Sequence, residues 1–222
     1  MSIEENVRAV ARRISAACER AGRSPDGVTL VAVTKTVPVP AIEAAFRAGV
    51  RDVGENRVQE AVPKIERLQG LRPALRWHMV GHLQTNKAKT AAGVFDIIQS
   101  VDSLKLAETL SARSERKLSI LIEVNVAGEA TKGGFPPSRV HEAVARIARL
   151  PNLVIEGLMT VAPWVSDAEE VRPLFRRMHE MGCALGLSHL SMGMTDDFEV
   201  AIEEGATMVR IGRAIFGERR ER

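Results

Sequence analysis

A chain of 222 residues, 45% hydrophobic and 27% charged, is long enough for one large domain or two small ones around an ample core. Its 31 basic and 28 acidic residues leave a formal charge of only +3, too balanced to argue for a nucleic-acid partner. No apolar run approaches the roughly 18 residues of a membrane span, and the opening MSIEENVRAV lacks a signal pattern, so a cytoplasmic protein is expected.

The first element is an amphipathic helix over 2–21. Ile3, Val7, Val10 and Ile14 mark its apolar face, Ser2-x-x-Glu5 reads as a capping box, and Gly22 ends it. After Pro25-Asp26-Gly27, strand and helix patterns alternate with short connections. Strands are expected near 28–34, 51–54, 76–80, 96–99, 118–125, 153–160, 187–191 and 207–211. Helical stretches lie near 39–48, 57–69, 85–92, 103–116, 138–149, 168–182 and 195–204. Eight strands alternating with helices favour the α/β class and a single (β/α)8 TIM-type barrel over 1–222. Residues 1–22 are then an additional N-terminal helix, and 218–222 a basic, solvated tail. A doubly wound open sheet competes, but no Gly-rich fingerprint follows the first strand. Cys18 and Cys183 lie far apart in apolar helical patterns, which suggests buried thiols and neither a disulfide framework nor a metal site.

In a barrel the carboxyl ends of the strands share one mouth, where ligands bind. Leu30 to Val33 is a buried-strand run ending at Thr34-Lys35-Thr36. A partly desolvated amine there is a nucleophile toward aldehydes; the same position also suits a solvated lysine or a point charge holding a phosphate. The second strand ends in Gly54-Glu55-Asn56, where Asn56 serves as a helix N-cap or a ligand contact. His78 and His82 lack the partners of a metal site and read as structural, as does a Thr85-Asn86 helix cap. Glu123, inside an apolar strand, needs an interior arginine or lysine, and Lys132 in a glycine-flanked loop reads as solvated. Gly157-Leu158-Met159-Thr160 suits the wall of a flat ligand, or plain core.

The last two strand ends carry more. Barrels often bind phosphate with the loops after strands seven and eight. Here the Ser191 hydroxyl, amides near Met192, and amides at Gly212 and Arg213 form the expected cradle, while Asp196 and Asp197 read as acids at a helix start. Arg210, inside the last strand, must meet an acceptor, either Glu123 or a ligand nitrogen. A lysine, a phosphate cradle and an arginine in one mouth together describe pyridoxal 5′-phosphate (PLP). Arginine at the ring nitrogen keeps it unprotonated and weakens the ring as an electron sink.

At this point VAVTKTVP, GENRVQE, WHMVGHLQTNK, GLMT and LSMGMTDDFEVAIEEGATMVRIGRAIFG resemble the pyridoxal phosphate homeostasis proteins, from about Val28 to Gly217. The resemblance implies a single barrel related to the N-terminal domain of bacterial alanine racemase. It implies that Lys35 carries PLP as a Schiff base, with Asn56 beside the ring, Arg210 near its nitrogen, and Ser191, Gly212 and Arg213 around the phosphate. It further implies buffering or carriage of the cofactor with little or no catalysis, apo PLP-enzymes as acceptors, and an open barrel able to act as a monomer. Many relatives carry an aromatic residue, a second lysine and a threonine where this chain has Arg57, Val37 and Arg213. One alternative is an amino-acid racemase, but no tyrosine exists to act as second base, leaving only His82 or His189. The other is a lysine-dependent aldolase without a chromophore.

Overall fold

A computed structural model describes residues 2–72, 74–129 and 132–218. Apart from Glu218, the expected basic tail lies outside them. Eight parallel strands close into a barrel in sequence order: β1 (Thr29–Val33), β2 (Asp52–Glu55), β3 (Arg76–Met79), β4 (Ile97–Val101), β5 (Leu118–Glu123), β6 (Leu153–Met159), β7 (His189–Ser191) and β8 (Met208–Ile211). Around it run α1 (Ile3–Arg20), α2 (Val39–Arg47), α3 (Val58–Arg67), α4 (Ala88–Val94), α5 (Leu104–Arg113), α6 (Pro137–Ile147), α7 (Arg172–Ala184), α8 (Phe198–Glu203) and α9 (Arg213–Phe216). The expected (β/α)8 barrel with an added first helix is the observed fold. Among the described residues no helix is long and apolar enough to cross a membrane.

The capping box of α1 forms as its sequence spells it: the Glu5 amide donates to Ser2 Oγ at 3.2 Å and the Ser2 amide to Glu5 Oε2 at 2.7 Å. Its apolar face, with Val7, Val10, Ile14 and Ala17, is buried, and the helix packs on α8, α9 and α2. Asn6 Nδ2 donates to Ile215 O (2.9 Å), tying the first helix to the last turn of the chain.

Strand side chains alternate between faces, so a closed barrel sorts each strand into inward and outward residues. Ala32, Val53, Trp77, Met79, Ile98, Ile120, Ile122, Leu158, Leu190, Met192, Val209 and Ile211 belong to the large core that also holds the helices. Leu121, Met159 and Met208 form a separate small cluster, the apolar part of the barrel interior. Parity then sends Lys35, Asn56, Ser191, Arg210 and Gly212 inward with the second set.

Several boundaries differ from expectation. The stretches expected to begin helices at 85 and 168 open as 3-10 turns, Thr85–Lys87 and Ala168–Val171, before α4 and α7. Strand β5 stops at Glu123 because the Phe135 and Asn125 amides turn the pairing back onto the following loop. Cys18 is buried, but Cys183 is exposed; it lies on the outer face of α7, with Sγ 3.4 Å from Nε2 of His179 one turn earlier.

Gly157 has a purely steric reason to exist. At this point β6 shifts register against β5, and a Cβ here would lie 1.8 Å from the carbonyl oxygen of His189 on β7. The two backbones meet where no side chain fits. Gly157→Ala is therefore expected to destabilise the fold by about 3 kcal/mol or more, read from the urea midpoint, because neither backbone can retreat without opening the sheet.

Candidate functional site

Lys35 follows β1 directly and is half-buried on the inward face, whereas its neighbour Thr34 points outward and is fully buried. The next residue, Thr36, has φ 63°, a left-handed backbone that a β-branched residue seldom adopts. Something must hold that turn, and it stands on the outer face of the barrel. Lys64 of α3 reaches in to donate to Thr34 O (2.7 Å), Glu55 Oε1 (2.8 Å) and Glu60 Oε1 (2.7 Å). Glu60 Oε1 also accepts the Thr36 amide, and Thr34 Oγ1 donates to Glu55 Oε1 at 2.7 Å. The amine thus bridges two carboxylates and the strand end that presents Lys35. Burial pushes the Glu55 carboxyl up despite its bonds to Lys64 and Thr34. Burial acts on Glu60 in the same sense, but its bonds to Lys64 and Thr36 outweigh it and hold that carboxyl below its usual range.

Arg210 of β8 is the counterpart. It is buried, 5% exposed, and Val31 of β1 is its register partner, so the guanidinium and Lys35 come from adjacent strands at different heights. Nη1 donates to Ser191 Oγ (2.7 Å) and Nη2 to Thr160 O (2.7 Å). Desolvation lowers its pKa to about 10, against the pull of Asp197 and Glu123, so it stays a cation at neutral pH. The expected Glu123 partner therefore acts through charge, while the hydrogen bonds go to Ser191 and the β6 end.

Two of the expected cradle residues already have partners within the barrel. The Ser191 hydroxyl is fully buried between Arg210 and Gln99, and the Met192 amide bonds Met208 O (3.1 Å) while its side chain packs in the outer core. Both are committed within the barrel wall. Beyond them the chain passes Gly193 (φ 92°), packed closely on Phe198 and Ala201 of α8, to half-buried Thr195, while Gly212 leads from β8 into α9, whose first N–H groups have no acceptor within the helix. The Arg213 side chain pairs with Asp196, its Nη2 lying 2.5 Å from Oδ1, and so links the loops after β7 and β8. Asp197 Oδ1 accepts the Met194 amide at 2.5 Å and closes the turn ahead of α8.

Asn56 is not a helix cap: α3 has Arg57 at that position, with no side-chain cap bond. Nor do Thr85 and Asn86 cap their turn; Gln84 stands there. On the far side of the mouth, His82 Nδ1 lies 3.0 Å from Asp102 Oδ2, beside a cavity of about 470 Å³ lined also by Gln84, Asn86 and Leu106. Lys132 is tied to Glu129 Oε1 (2.6 Å) and to Ala162 O (3.4 Å). Burial, then the Asp102 charge, push the Glu123 carboxyl up to about 7, opposed by Arg210 and His82. His189 opens β7, at the end of the strand remote from the mouth. Among the described residues no three His, Cys, Asp or Glu gather to hold a metal. Lys64 and Gln99 were missed by sequence reading, and Thr160, read there as wall or core, serves through its carbonyl on Arg210. Only Lys64 left a signal there, a lysine four residues after Glu60 on a helix face shared with Ala61 and Ile65.

Residues 5–220 match the family described as "Alanine racemase, N-terminal domain". A pyridoxal phosphate homeostasis protein of Aquifex aeolicus is 45% identical over 229 aligned residues, covering 99% of this chain and 100% of that one. The chain belongs to the pyridoxal phosphate homeostasis protein family. Among solved structures, a Bifidobacterium adolescentis protein described as unknown superposes with TM-score 0.89 at 38% identity, covering 96% of this chain and 94% of its own. PipY of Synechococcus elongatus, in a structure described as having PLP bound, superposes at 0.81 with 36% identity, covering 94% and 100%.

Two outcomes follow from the site's electrostatics. Lys64→Met leaves Glu55 buried beside Glu60 without its cation, and chemical denaturation should show a loss of about 3 kcal/mol. Glu123 binds its proton more tightly folded than unfolded. Its contribution is therefore complete below the ordinary carboxylate range and is lost as pH rises through about 7. The thermal midpoint of Glu123→Gln should fall less steeply than that of the parent as the pH rises from about 5 to about 8.

Proposed function

We propose that this chain binds pyridoxal 5′-phosphate as a Schiff base on Lys35 and serves intracellular PLP homeostasis as a buffer or carrier, with little or no catalysis. One observation carries the reading: adjacent strands β1 and β8 deliver an amine and a buried guanidinium into one barrel mouth. The donor set fits the group. A guanidinium offers only N–H donors, two of its five are used by Ser191 and Thr160, and an unprotonated pyridine nitrogen is an acceptor of matching sign. Family membership and the PLP named for PipY support the same reading.

When bound, PLP supplies an electron-poor ring able to withdraw electrons from an attached amine. The chain's residues limit that chemistry. Arg210 stays charged and so disfavours a second cation at the ring nitrogen. Asn56, released from any capping duty, would stand beside the ring. The backbone at Gly212 and Arg213, with Thr195, would hold the phosphate. Ser191 contributes by orienting Arg210, and Met192 by carrying the chain into the Gly193 turn. The Lys64 hub holds the Lys35 turn from outside. We read the protein as a cytoplasmic monomer whose partners are PLP and apo-enzymes that accept it.

A racemase is the second reading, favoured by one feature, the His82–Asp102 pair at the mouth. It lacks the tyrosine that racemases of this fold use as second base.

Purified protein mixed with PLP should turn yellow, and borohydride reduction followed by peptide mass spectrometry should place the adduct on Lys35. Lys35→Ala should stay colourless. A protein that takes up no PLP, or an adduct elsewhere, sinks the proposal; rapid α-deuterium exchange into alanine in heavy water would replace the carrier with the racemase.

A further inference from the structure

Arg210 is one end of a longer object. Its Nη1 donates to Ser191 Oγ (2.7 Å), and Ser191 Oγ donates to Gln99 Oε1 (2.7 Å). Gln99 Nε2 lies 2.8 Å from His78 Nδ1, and His78 Nε2 lies 2.8 Å from Asp52 Oδ1. Beyond Asp52 stands Arg76, half-exposed at the opposite end of the barrel, with Nε 2.8 Å from Oδ1 and Nη2 2.9 Å from Oδ2. Ser191, Gln99 and His78 are fully buried and Asp52 is 4% exposed, so the line crosses the barrel interior from β8 to β3 and β2 without water.

The two ends set its direction. Arginine can only donate and an ionised aspartate can only accept. Burial raises the Asp52 carboxyl, but the bonds from His78 and Arg76 outweigh it and keep it below its usual range, hence ionised. Each group between must therefore accept one hydrogen bond and donate one. That leaves Ser191 donating to the glutamine oxygen, Gln99 donating to Nδ1, and a neutral His78 with its proton on Nε2. The second amide N–H of Gln99 has Met208 Sδ at 3.8 Å, which also favours this amide orientation. Turning the amide over would point two donors at Ser191 Oγ, leave the hydroxyl proton without an acceptor, and force a second proton onto His78. Unsatisfied buried groups of this kind are costly, so the chain has one orientation.

We infer that Gln99 and His78 are positioning residues for Arg210: a one-way hydrogen-bond chain anchored at Asp52 aims the guanidinium at the barrel mouth. This rests on the reading that Arg210 faces the ring nitrogen of PLP. Gln99 is the decisive member because its planar amide links the Ser191–Arg210 end to the His78–Asp52 end.

The experiment has two independent arms. In the full-length apo protein, nitrogen-15 NMR at neutral pH should find the His78 proton on Nε2 alone; a proton on Nδ1 overturns the chain whatever PLP does. In the second arm, PLP affinity and absorption spectrum are compared for the parent, Gln99→Met, Gln99→Glu and Arg210→Met. Gln99→Met fills the space without the bonds and should weaken PLP binding about tenfold and shift the spectrum. Gln99→Glu, as the neutral acid, offers Ser191 an acceptor and His78 Nδ1 an O–H donor and should restore both, whereas a purely structural role gives no reason for a buried acid to succeed where methionine fails. If Arg210→Met changes affinity and spectrum but Gln99→Met does not, the positioning role falls and the Arg210 reading stands. If Arg210→Met changes neither, the Arg210 reading falls, and the inference with it. Should Gln99→Met fail to fold, the NMR arm on the parent protein still decides the chain.

Discussion

A cation locked inside a barrel is the constraint around which this structure is arranged. Arg210 cannot leave its charge behind at neutral pH, and burial in a low-dielectric interior disfavours it unless every nearby acceptor is well placed. Ser191 and Thr160 take two of its N–H groups, and Asp197 and Glu123 supply opposite charge from the strand ends to either side. The interior consequently carries a polar line beside an apolar patch, Leu121, Met159 and Met208. A barrel serving only stability would more simply fill that line with aliphatic side chains, since a buried ion pair seldom beats them. The arrangement makes physical sense when the guanidinium has something to meet.

The same strands carry a second polar system on the other face. Thr34 and Glu55 point outward into the layer beneath α3, and Lys64 gathers them with Glu60 around the Lys35 turn. Because side chains alternate, the two systems share β2 but no side chain. One supports the amine through the backbone from outside; the other supports the guanidinium from within. A left-handed Thr36 at the junction costs roughly 1 kcal/mol or more, and the Glu60 carboxylate on its amide compensates.

The eight strands and their order were legible because buried parallel strands have short, β-branched runs set off by helical periodicity. Lys35 and Arg210 were legible for a related reason, a charged residue at or inside such a run. What sequence could not show was commitment. Ser191 and Met192 stand at the right strand end, yet strand hydrogen bonding and Gln99 engage them, and no local pattern announces that. Asn56 invited a capping role by residue type, but the helix starts one residue later. Gln99 and His78 lie 21 residues apart on adjacent strands, and only closure of the sheet brings them together. Gly157 is similar: its neighbour across the sheet, His189, is remote in sequence, so the reason for the missing side chain is invisible until β6 and β7 pair.

The charge balance of the mouth follows from these placements. Lys35, Arg210 and the Arg213–Asp196 pair come from the end of β1, from β8 and from the loops after β7 and β8, whereas Asp102, Glu123 and Glu129 stand on the β4 and β5 side. A full negative charge on Glu123 would oppose an incoming phosphate and overstabilise the free form of Arg210. Its carboxyl instead titrates at about 7, so near neutrality it carries that charge only part of the time. Burial and then Asp102, which raise it, outweigh Arg210 and His82, which lower it. The acid for which the sequence called up an interior cation thus acts on Arg210 through charge, while the guanidinium's hydrogen bonds go to Ser191 and Thr160.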